Sequence, residues 1–202
     1  MDVDERPEEP KAIDEPVWRS VLGVDPGHVN CGLALVVFGG DSCRMTVRYL
    51  ANVNLGDPTR RTPRPMQDIV RDIKNYIDEA FTHGRVDDVV IEAQYGHRQS
   101  SVASAILGMM LEKDVSVSVV APNTLNSRFE RLCRRMDIRV ADPKLKTARA
   151  RNKRRHVAFM DAILPGREQA VGDRKVDDAA DALIYALYEL LGGDAALRTY
   201  NP

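Results

Sequence analysis

The sequence predicts an α/β protein in which helices flank a mixed β-sheet. Two observations carry this prediction: three short apolar runs follow one another near the N-terminus, and segments with helical and strand periodicity then alternate. Strands joined by tight turns pair antiparallel, whereas strands connected through a helix pair parallel. We therefore expect three N-terminal antiparallel strands followed by parallel strands.

The first strands begin at Ser20, where apolar runs alternate with turn residues. This pattern predicts strands at Ser20–Asp25, Gly32–Phe38 and Met45–Asn54. Leu55–Pro65 is rich in proline and arginine, which predicts a loop. Apolar residues at helical spacing from Met66 onwards then predict an amphipathic helix that ends near Gly84.

The rest of the chain alternates once more and then becomes helical. Val86–Glu92 and Val115–Val120 are rich in valine and predict buried strands. Between them, Ser101–Lys113 predicts a helix capped by Ser100 or Ser101. Proline breaks separate three further predicted helices, at Asn123–Met136, about Lys146–Leu164 and Val176–Leu191.

Composition predicts one domain behind an acidic tail. The chain has 202 residues, of which 44% are hydrophobic, enough for a single sizeable core. Residues 1–16 hold seven acids and two bases with almost no large apolar side chain, so we expect them to be disordered. The remaining 27 bases and 23 acids make residues 17–202, the predicted single domain, mildly basic.

The cysteines and apolar runs predict an intracellular protein. Cys31, Cys43 and Cys133 are odd in number and lack CxxC spacing, which argues against a disulfide framework or a structural zinc site. We therefore expect a reducing compartment, either cytoplasm or nucleus. No apolar run approaches the roughly 18–20 residues of a membrane helix, and the acidic N-terminus is unlike a signal or transit peptide. The sequence thus predicts no membrane partner.

Four acidic residues stand at the boundaries of predicted elements. Asp25 ends the first strand and Glu92 ends a buried strand, whereas Asp178 and Asp181 share one face of the last helix at i and i+3. Asp177 is rotated about 100° away on an ideal helix. Each acid alone could be a turn residue, an acid entering a loop, or a complement to the helix dipole. A single carboxylate cluster explains all four.

Such a cluster favours particular metals and a particular reaction. Carboxylates without a His or Cys partner favour Mg²⁺ or Mn²⁺ over zinc. An acid directly after Val-Val-Ile is costly to bury unless it is paired or binds a metal. Two such ions about 3.5–4 Å apart activate water and stabilise the leaving oxygen in phosphodiester hydrolysis. The pattern therefore predicts a metal-dependent nuclease with two ions per site.

Three motifs in the chain carry a resemblance to a known family. GVDPGHVNCGLAL, VVIEAQ and DRKVDDAADALIYAL resemble, in this order, the motifs of RuvC-type Holliday junction resolvases, most closely the poxvirus and mitochondrial branch. The resemblance covers about residues 20–190. It implies a ribonuclease H-like fold, a homodimer that cuts two opposed strands of a four-way DNA junction, and a metal-binding tetrad formed by Asp25, Glu92, Asp178 and Asp181.

Basic residues are concentrated just before the last helix. Twelve bases and three acids lie between Arg128 and Arg155, a net charge of +9. Solvated helix faces usually mix charges, so this imbalance favours binding to DNA phosphate over a merely solvated surface. The candidate DNA-binding residues are Arg149, Arg151, Lys153, Arg154 and Arg155, with Arg60, Arg61 and Arg64 in the arginine-rich loop as a second group.

A few residues close to the acids have two plausible roles. Lys175 could contact the scissile phosphate or simply face solvent. Gln94 could orient Glu92 or touch DNA, and Tyr95 could stack on an unpaired base or pack against the protein. Arg98 could line the cleft, while the adjacent His97 is either a general base or a surface histidine.

Three other classes of protein compete with the junction nuclease. Nucleotide-binding proteins of the actin-like class use a similar glycine-rich turn, but they need a second lobe, so we expect no nucleotide cofactor. A non-catalytic junction-binding module would gain nothing from pooled negative charge. A related metal-dependent nuclease or transposase, acting on other branched or hybrid nucleic acids, is the remaining alternative.

Overall fold

The computed structural model describes residues 18–39, 44–56, 64–135, 137–139, 147–165 and 176–190. The acidic tail predicted at residues 1–16 lies outside these ranges, as do residues 57–63 of the predicted arginine-rich loop. Cys31 and Cys133 are buried and are not joined in a disulfide, and Cys43 is outside the described residues.

Five strands form one mixed sheet, in the order β3-β2-β1-β4-β5. β2 pairs antiparallel with both β1 and β3, whereas β4 pairs parallel with both β1 and β5. This pairing confirms the predicted mixed sheet. The strands are β1 Arg19–Asp25, β2 Asn30–Gly39, β3 Arg44–Asn54, β4 Asp88–Glu92 and β5 Ser116–Val120.

Helices cover both faces of the sheet, because side chains alternate along the central strands. Val21 and Val90 belong to one apolar core, formed with α3, α4 and α5, whereas Leu22 and Val89 belong to another, formed with α1 and α2. No helix among the described residues is long and apolar enough to cross a membrane. The helices are α1 Met66–Thr82, α2 His97–Glu112, α3 Pro122–Arg135, α4 Ala148–Ile163 and α5 Asp177–Leu190.

α2 differs from its prediction at the N-terminal end. The helix begins at His97 after Gly96, four residues before the predicted start, and neither Ser100 nor Ser101 caps it. Instead, the Ser100 hydroxyl donates to the Gln94 carbonyl and the Ser101 hydroxyl donates to the His97 carbonyl. A serine hydroxyl can bond backwards to a carbonyl inside a helix, so serine alone does not mark a helix start.

The register of the two central strands brings their acidic ends together. Val24 of β1 lies opposite Ile91 of β4 in a parallel pairing, so the next residues, Asp25 and Glu92, leave the sheet at the same edge. Parallel pairing therefore explains why two acids 67 positions apart in the sequence border one cleft.

Small residues let α5 cross β1 and β2 at very short range. A Cβ atom at Gly23 would lie 2.0 Å from the Ala182 carbonyl oxygen, and one at Gly32 would lie 1.9 Å from the Asp178 carbonyl oxygen. Any side chain at these positions would push the helix off the sheet. The glycines thus set how closely the N-terminal turn of α5 approaches the end of β1.

Candidate metal centre

Three carboxylates converge beside the ends of the central strands. Asp25 ends β1, while Asp178 and Asp181 lie one turn apart near the start of α5. Ligand oxygens from the three residues all lie within 4.8 Å of one another. The structure therefore brings together three of the four predicted metal ligands.

Glu92 lies beside this group and is connected to it through hydrogen bonds. Gln94 Nε2 donates to Glu92 Oε2 at 2.7 Å and to Asp25 Oδ1 at 3.3 Å. The Tyr185 hydroxyl, on the same face of α5 as Asp181, also hydrogen-bonds to Glu92. Gln94 therefore orients Glu92 in this structure, which is one of the two roles that its position suggests.

Burial and mutual repulsion govern the electrostatics of the site. Burial raises the pKa of the Asp25 carboxyl well above its ordinary value, and the neighbouring acids Glu92, Asp181 and Asp178 raise it further. Burial also raises the pKa of the Tyr185 hydroxyl, and the charge of Glu92 adds to this effect. Tyr185 thus stays protonated and donates its hydrogen bond, while the clustered carboxylates need positive charge close by.

Lys153 supplies positive charge from α4. Its Nζ lies 2.8 Å from Asp178 Oδ1, 2.7 Å from Asp177 Oδ2 and 3.8 Å from Asp181 Oδ2. Burial alone would lower the pKa of this ammonium, but its hydrogen bonds to the aspartates outweigh burial and raise it. Asp177 is not part of the carboxylate group formed by Asp25, Asp178 and Asp181, and Lys153 reaches across the first turn of α5 to both Asp177 and Asp178.

His156 also reaches the cluster from α4, one turn beyond Lys153. The ring is buried, and Nδ1 hydrogen-bonds to Asp181 Oδ1. The same imidazole packs against the ring of Phe129 of α3 in a tilted contact, with 4.6 Å between ring centroids. Asp181 is therefore held on one side by a histidine and faces a lysine on the other.

The carboxylates line an open cleft of about 670 Å³. Its walls come from the turn after β1, the segment that follows β4, and the inner faces of α4 and α5. Polar side chains at the rim include His28, Asn30, Gln99 and Asn152. The cleft is large enough to admit a nucleotide-sized group to the acids.

The donor set fits a hard divalent cation. Carboxylate oxygens are the ligands that Mg²⁺ and Mn²⁺ prefer, and Asp25, Asp178 and Asp181 present them at mutual distances under 4.8 Å. The ammonium of Lys153 lies against two of these carboxylates, Asp178 and Asp181, which marks a position where a positive charge is stabilised. An acidic triad that could hold a metal ion is thus present, and Glu92 borders it.

The predicted DNA-binding residues outside α4 have different surroundings. Tyr95 borders the cleft with 79% of its surface exposed, so its ring does not pack in the core. Arg64 pairs with Asp72 at 2.7 Å and donates to the Leu55 carbonyl, and Arg98 donates to the Arg64 carbonyl at 2.7 Å. The two arginines therefore tie together the ends of the arginine-rich loop.

The predicted basic residues of α4 lie on more than one face of the helix. Lys153 points to the acids, Arg154 is exposed, and Arg151 and Arg155 are half-buried. Arg155 places its guanidinium over the Phe129 ring, 5.8 Å from the centroid. The side chain of Arg149 is not among the described ones, and Arg60, Arg61 and Lys175 lie outside the described residues.

Sequence reasoning missed the inner face of α4. The sequence pattern does not single out His156 of α4, nor Tyr185 of α5, and it assigns Lys153 to phosphate alone. A signal did exist, since Lys153, His156 and Phe159 recur every three residues and Phe159 is fully buried. Because the surrounding sequence is highly charged, the helical spacing of these three inward-facing residues is easily overlooked.

Three solved structures resemble the chain in fold. RuvC from Thermus thermophilus is 19% identical, with a TM-score of 0.56, and the match covers 86% of this chain and 97% of RuvC. The yeast mitochondrial Holliday junction resolvase is 15% identical, with a TM-score of 0.56 and coverage of 90% and 83%. The fowlpox virus resolvase, solved with Holliday junction DNA, is 15% identical, with a TM-score of 0.52 and coverage of 84% and 97%.

These matches confirm the fold that the motif resemblance implies. The chain has the mixed sheet and flanking helices of the ribonuclease H-like fold, in the form seen in RuvC-type resolvases. No protein-family model matches the chain, and no curated protein matches it by sequence.

Proposed function

We propose that this protein is a metal-dependent endodeoxyribonuclease that resolves four-way DNA junctions by paired phosphodiester hydrolysis. One observation carries the proposal: four acids from three separate elements meet in a single open cleft of a fold shared with junction resolvases. The solved relatives include RuvC with a Holliday junction substrate and the fowlpox resolvase with Holliday junction DNA.

The proposed cofactor is Mg²⁺, replaceable by Mn²⁺, with two ions per site held by Asp25, Glu92, Asp178 and Asp181. When bound, the ions would polarise the scissile phosphate and promote attack by water. Gln94 and Tyr185 keep Glu92 oriented beside Asp25, through the hydrogen bonds described above. The protein thus presents its carboxylates in a fixed arrangement before substrate arrives.

The DNA backbone is proposed to approach over α4. The candidate contacts are Arg149, Arg151, Lys153, Arg154 and Arg155, assisted by Arg60, Arg61, Arg64 and Arg98 around the arginine-rich loop. Lys153 is proposed to have a further role, because its ammonium lies in the cleft against Asp177 and Asp178 and would be available to the scissile phosphate if bound cations neutralised these aspartates. Tyr95 is exposed at the cleft rim, where its ring can stack on an unpaired base at the branch point.

Lys175 is proposed to contact the scissile phosphate, because it lies three residues before Asp178. Replacement by alanine should slow cleavage and leave junction affinity almost unchanged. Single-turnover cleavage and a gel-shift titration separate these two quantities. Equal losses in both would make Lys175 one more backbone-binding residue.

A homodimer is proposed because opposed cuts need two active sites and the described part of one chain brings together a single group of acids that could hold a metal. α2 carries small and flexible apolar residues, among them Met109 and the exposed Leu111. Light scattering at working concentration should give twice the chain mass of 22.5 kDa. Full activity from a protein that stays monomeric would contradict the dimer.

A nuclease or transposase with another branched or hybrid substrate is the second candidate. The two are separated by cleavage of a four-way junction, a flap, an RNA–DNA hybrid and linear duplex under identical Mg²⁺ conditions. Our proposal predicts that the four-way junction is cut fastest and that Asp178→Asn removes this cleavage. Faster cutting of a hybrid or a flap would favour the second candidate.

A further inference from the structure

His156 is a buried polar residue that the cleavage chemistry does not itself require. It lies on the inner face of α4 and exposes only 7% of its surface. Burying an imidazole is unfavourable unless its ring nitrogens find partners. Its partner on the Nδ1 side is Asp181, one of the proposed metal ligands.

The two oxygens of Asp181 face different groups. Oδ1 accepts a hydrogen bond from Nδ1 of His156, since a carboxylate can only accept. Oδ2 instead faces the ammonium of Lys153, with 3.8 Å between Oδ2 and Nζ. One oxygen is therefore anchored to a ring, while the other is turned toward the position where positive charge is stabilised.

The imidazole is itself held in place. Phe129 lies 4.6 Å from it, at an interplanar angle of 59°, and Phe129 meets Phe159 edge to face at 5.4 Å. Both phenylalanines are buried in the core between α3, α4 and α5. His156 thus connects a buried aromatic cluster to the Asp181 carboxylate.

We infer that His156 is a positioning residue that fixes the Asp181 carboxylate so that Oδ2 is available to a divalent cation. The inference rests on the proposed function, because it requires Asp181 to be a metal ligand. Groups that orient metal ligands usually contribute about 10-fold to 100-fold in metal affinity or activity. His156 should therefore matter for metal affinity, although it is not one of the proposed metal ligands.

Three substitutions separate positioning from packing. His156→Phe keeps a ring against Phe129 and removes the hydrogen bond to Asp181. His156→Asn places an amide nitrogen near the former Nδ1, whereas His156→Gln carries its amide one carbon further and serves as the matched control. Mn²⁺ affinity of the full chain without DNA, measured from the loss of the free-ion electron paramagnetic resonance signal, is the readout.

We expect His156→Phe to weaken Mn²⁺ binding about 10-fold to 100-fold, His156→Asn to restore most of it, and His156→Gln to restore less. Wild-type Mn²⁺ affinity in His156→Phe would overturn the inference, and so would equal losses in all three variants, since these indicate packing alone. If His156→Phe fails to fold, the comparison of Asn with Gln decides. Wild-type affinity in Asp181→Asn would instead overturn the proposed metal centre.

Discussion

At the scale of single residues, the site balances clustered negative charges against nearby positive charge. Asp25 is buried next to Asp178 and Asp181, an arrangement that destabilises the folded chain unless positive charge is present. In this structure Lys153 supplies part of that charge. A bound divalent cation would supply more, so folding stability and metal binding should be linked.

The substitution Asp25→Asn tests this link. Because it removes one of several mutually repelling buried carboxylates, it should raise the melting temperature of the protein in EDTA. Saturating Mg²⁺ should stabilise the wild type, by about 2.7 kcal/mol at 100 times the dissociation constant, and should stabilise the variant much less. Differential scanning calorimetry with and without Mg²⁺ measures both effects, and an equal Mg²⁺ response in the two proteins would remove Asp25 from the site.

Residues on the outer side of α4 should act through the DNA backbone. The double substitution Arg151→Gln/Arg154→Gln should weaken binding to every junction sequence by a similar factor. It should also flatten the slope of log affinity against log salt by about 0.9 for each lost duplex phosphate contact. Fluorescence anisotropy over a salt series measures the affinity and its salt dependence. The double variant Arg48→Gln/Arg85→Gln, whose residues lie outside the cleft, is the control. Identical salt slopes in the two double variants would contradict the proposed DNA path.

The residues that sequence alone identified differ in kind from those that it missed. Asp25 and Asp178 can be identified from the sequence, because each is an acid at the boundary of a predicted strand or helix. Lys153 and His156 depend on which face of α4 meets α5, and that is decided by packing between helices rather than by local pattern. An ideal helical wheel separates Asp177 from Asp178 and Asp181, but it does not show that a lysine of a neighbouring helix reaches both Asp177 and Asp178.

At the scale of elements, the site depends on how closely α5 crosses the sheet. Gly23 and Gly32 meet the backbone at Ala182 and Asp178, so the helix lies directly on β1 and β2. This close contact places the first turn of α5, which contains Asp177 and Asp178, at the end of β1. The glycines are thus part of the site's construction, although they bind nothing.

The substitution Gly32→Ala tests this close approach. The added Cβ would lie 1.9 Å from the Asp178 carbonyl oxygen, so backbone must shift. Overpacking of this kind costs about 1–3 kcal/mol of stability or more, and the shift should lower the cleavage rate by moving Asp178. Gly108→Ala in α2, where a Cβ meets nothing within 4 Å, is the matched control and should retain activity; equal activity in the two variants would contradict this account.

Most element boundaries were predictable because hydrophobic periodicity and proline breaks are local. The start of α2 was not, since the hydroxyls of Ser100 and Ser101 donate to the preceding carbonyls of Gln94 and His97 instead of capping the helix. The close crossing of α5 could not be predicted either, because a glycine in a strand does not indicate which element of the fold packs against it. The local sequence thus determines which segments form helices and which form strands, whereas tertiary contacts determine how closely these elements pack.

At the scale of the whole molecule, strand pairing explains why acids distant in sequence share a cleft. β1 and β4 are parallel neighbours at the centre of the sheet, so Asp25 and Glu92 leave it together. The mixed sheet was predictable from the order of short strands and later helices. The strand order was not, because it depends on which edge each connection reaches.

The central claim is that this acidic cleft cuts opposed strands of a four-way junction. The most direct test is a synthetic junction with each strand labelled in turn, incubated in Mg²⁺ with the wild type and with Asp181→Asn. Our account predicts paired nicks at symmetric positions in two opposed strands, abolished by EDTA and by Asp181→Asn, while the variant still binds the junction. Junction binding without cleavage in Mg²⁺ or Mn²⁺, or unchanged cleavage by Asp181→Asn, would contradict it.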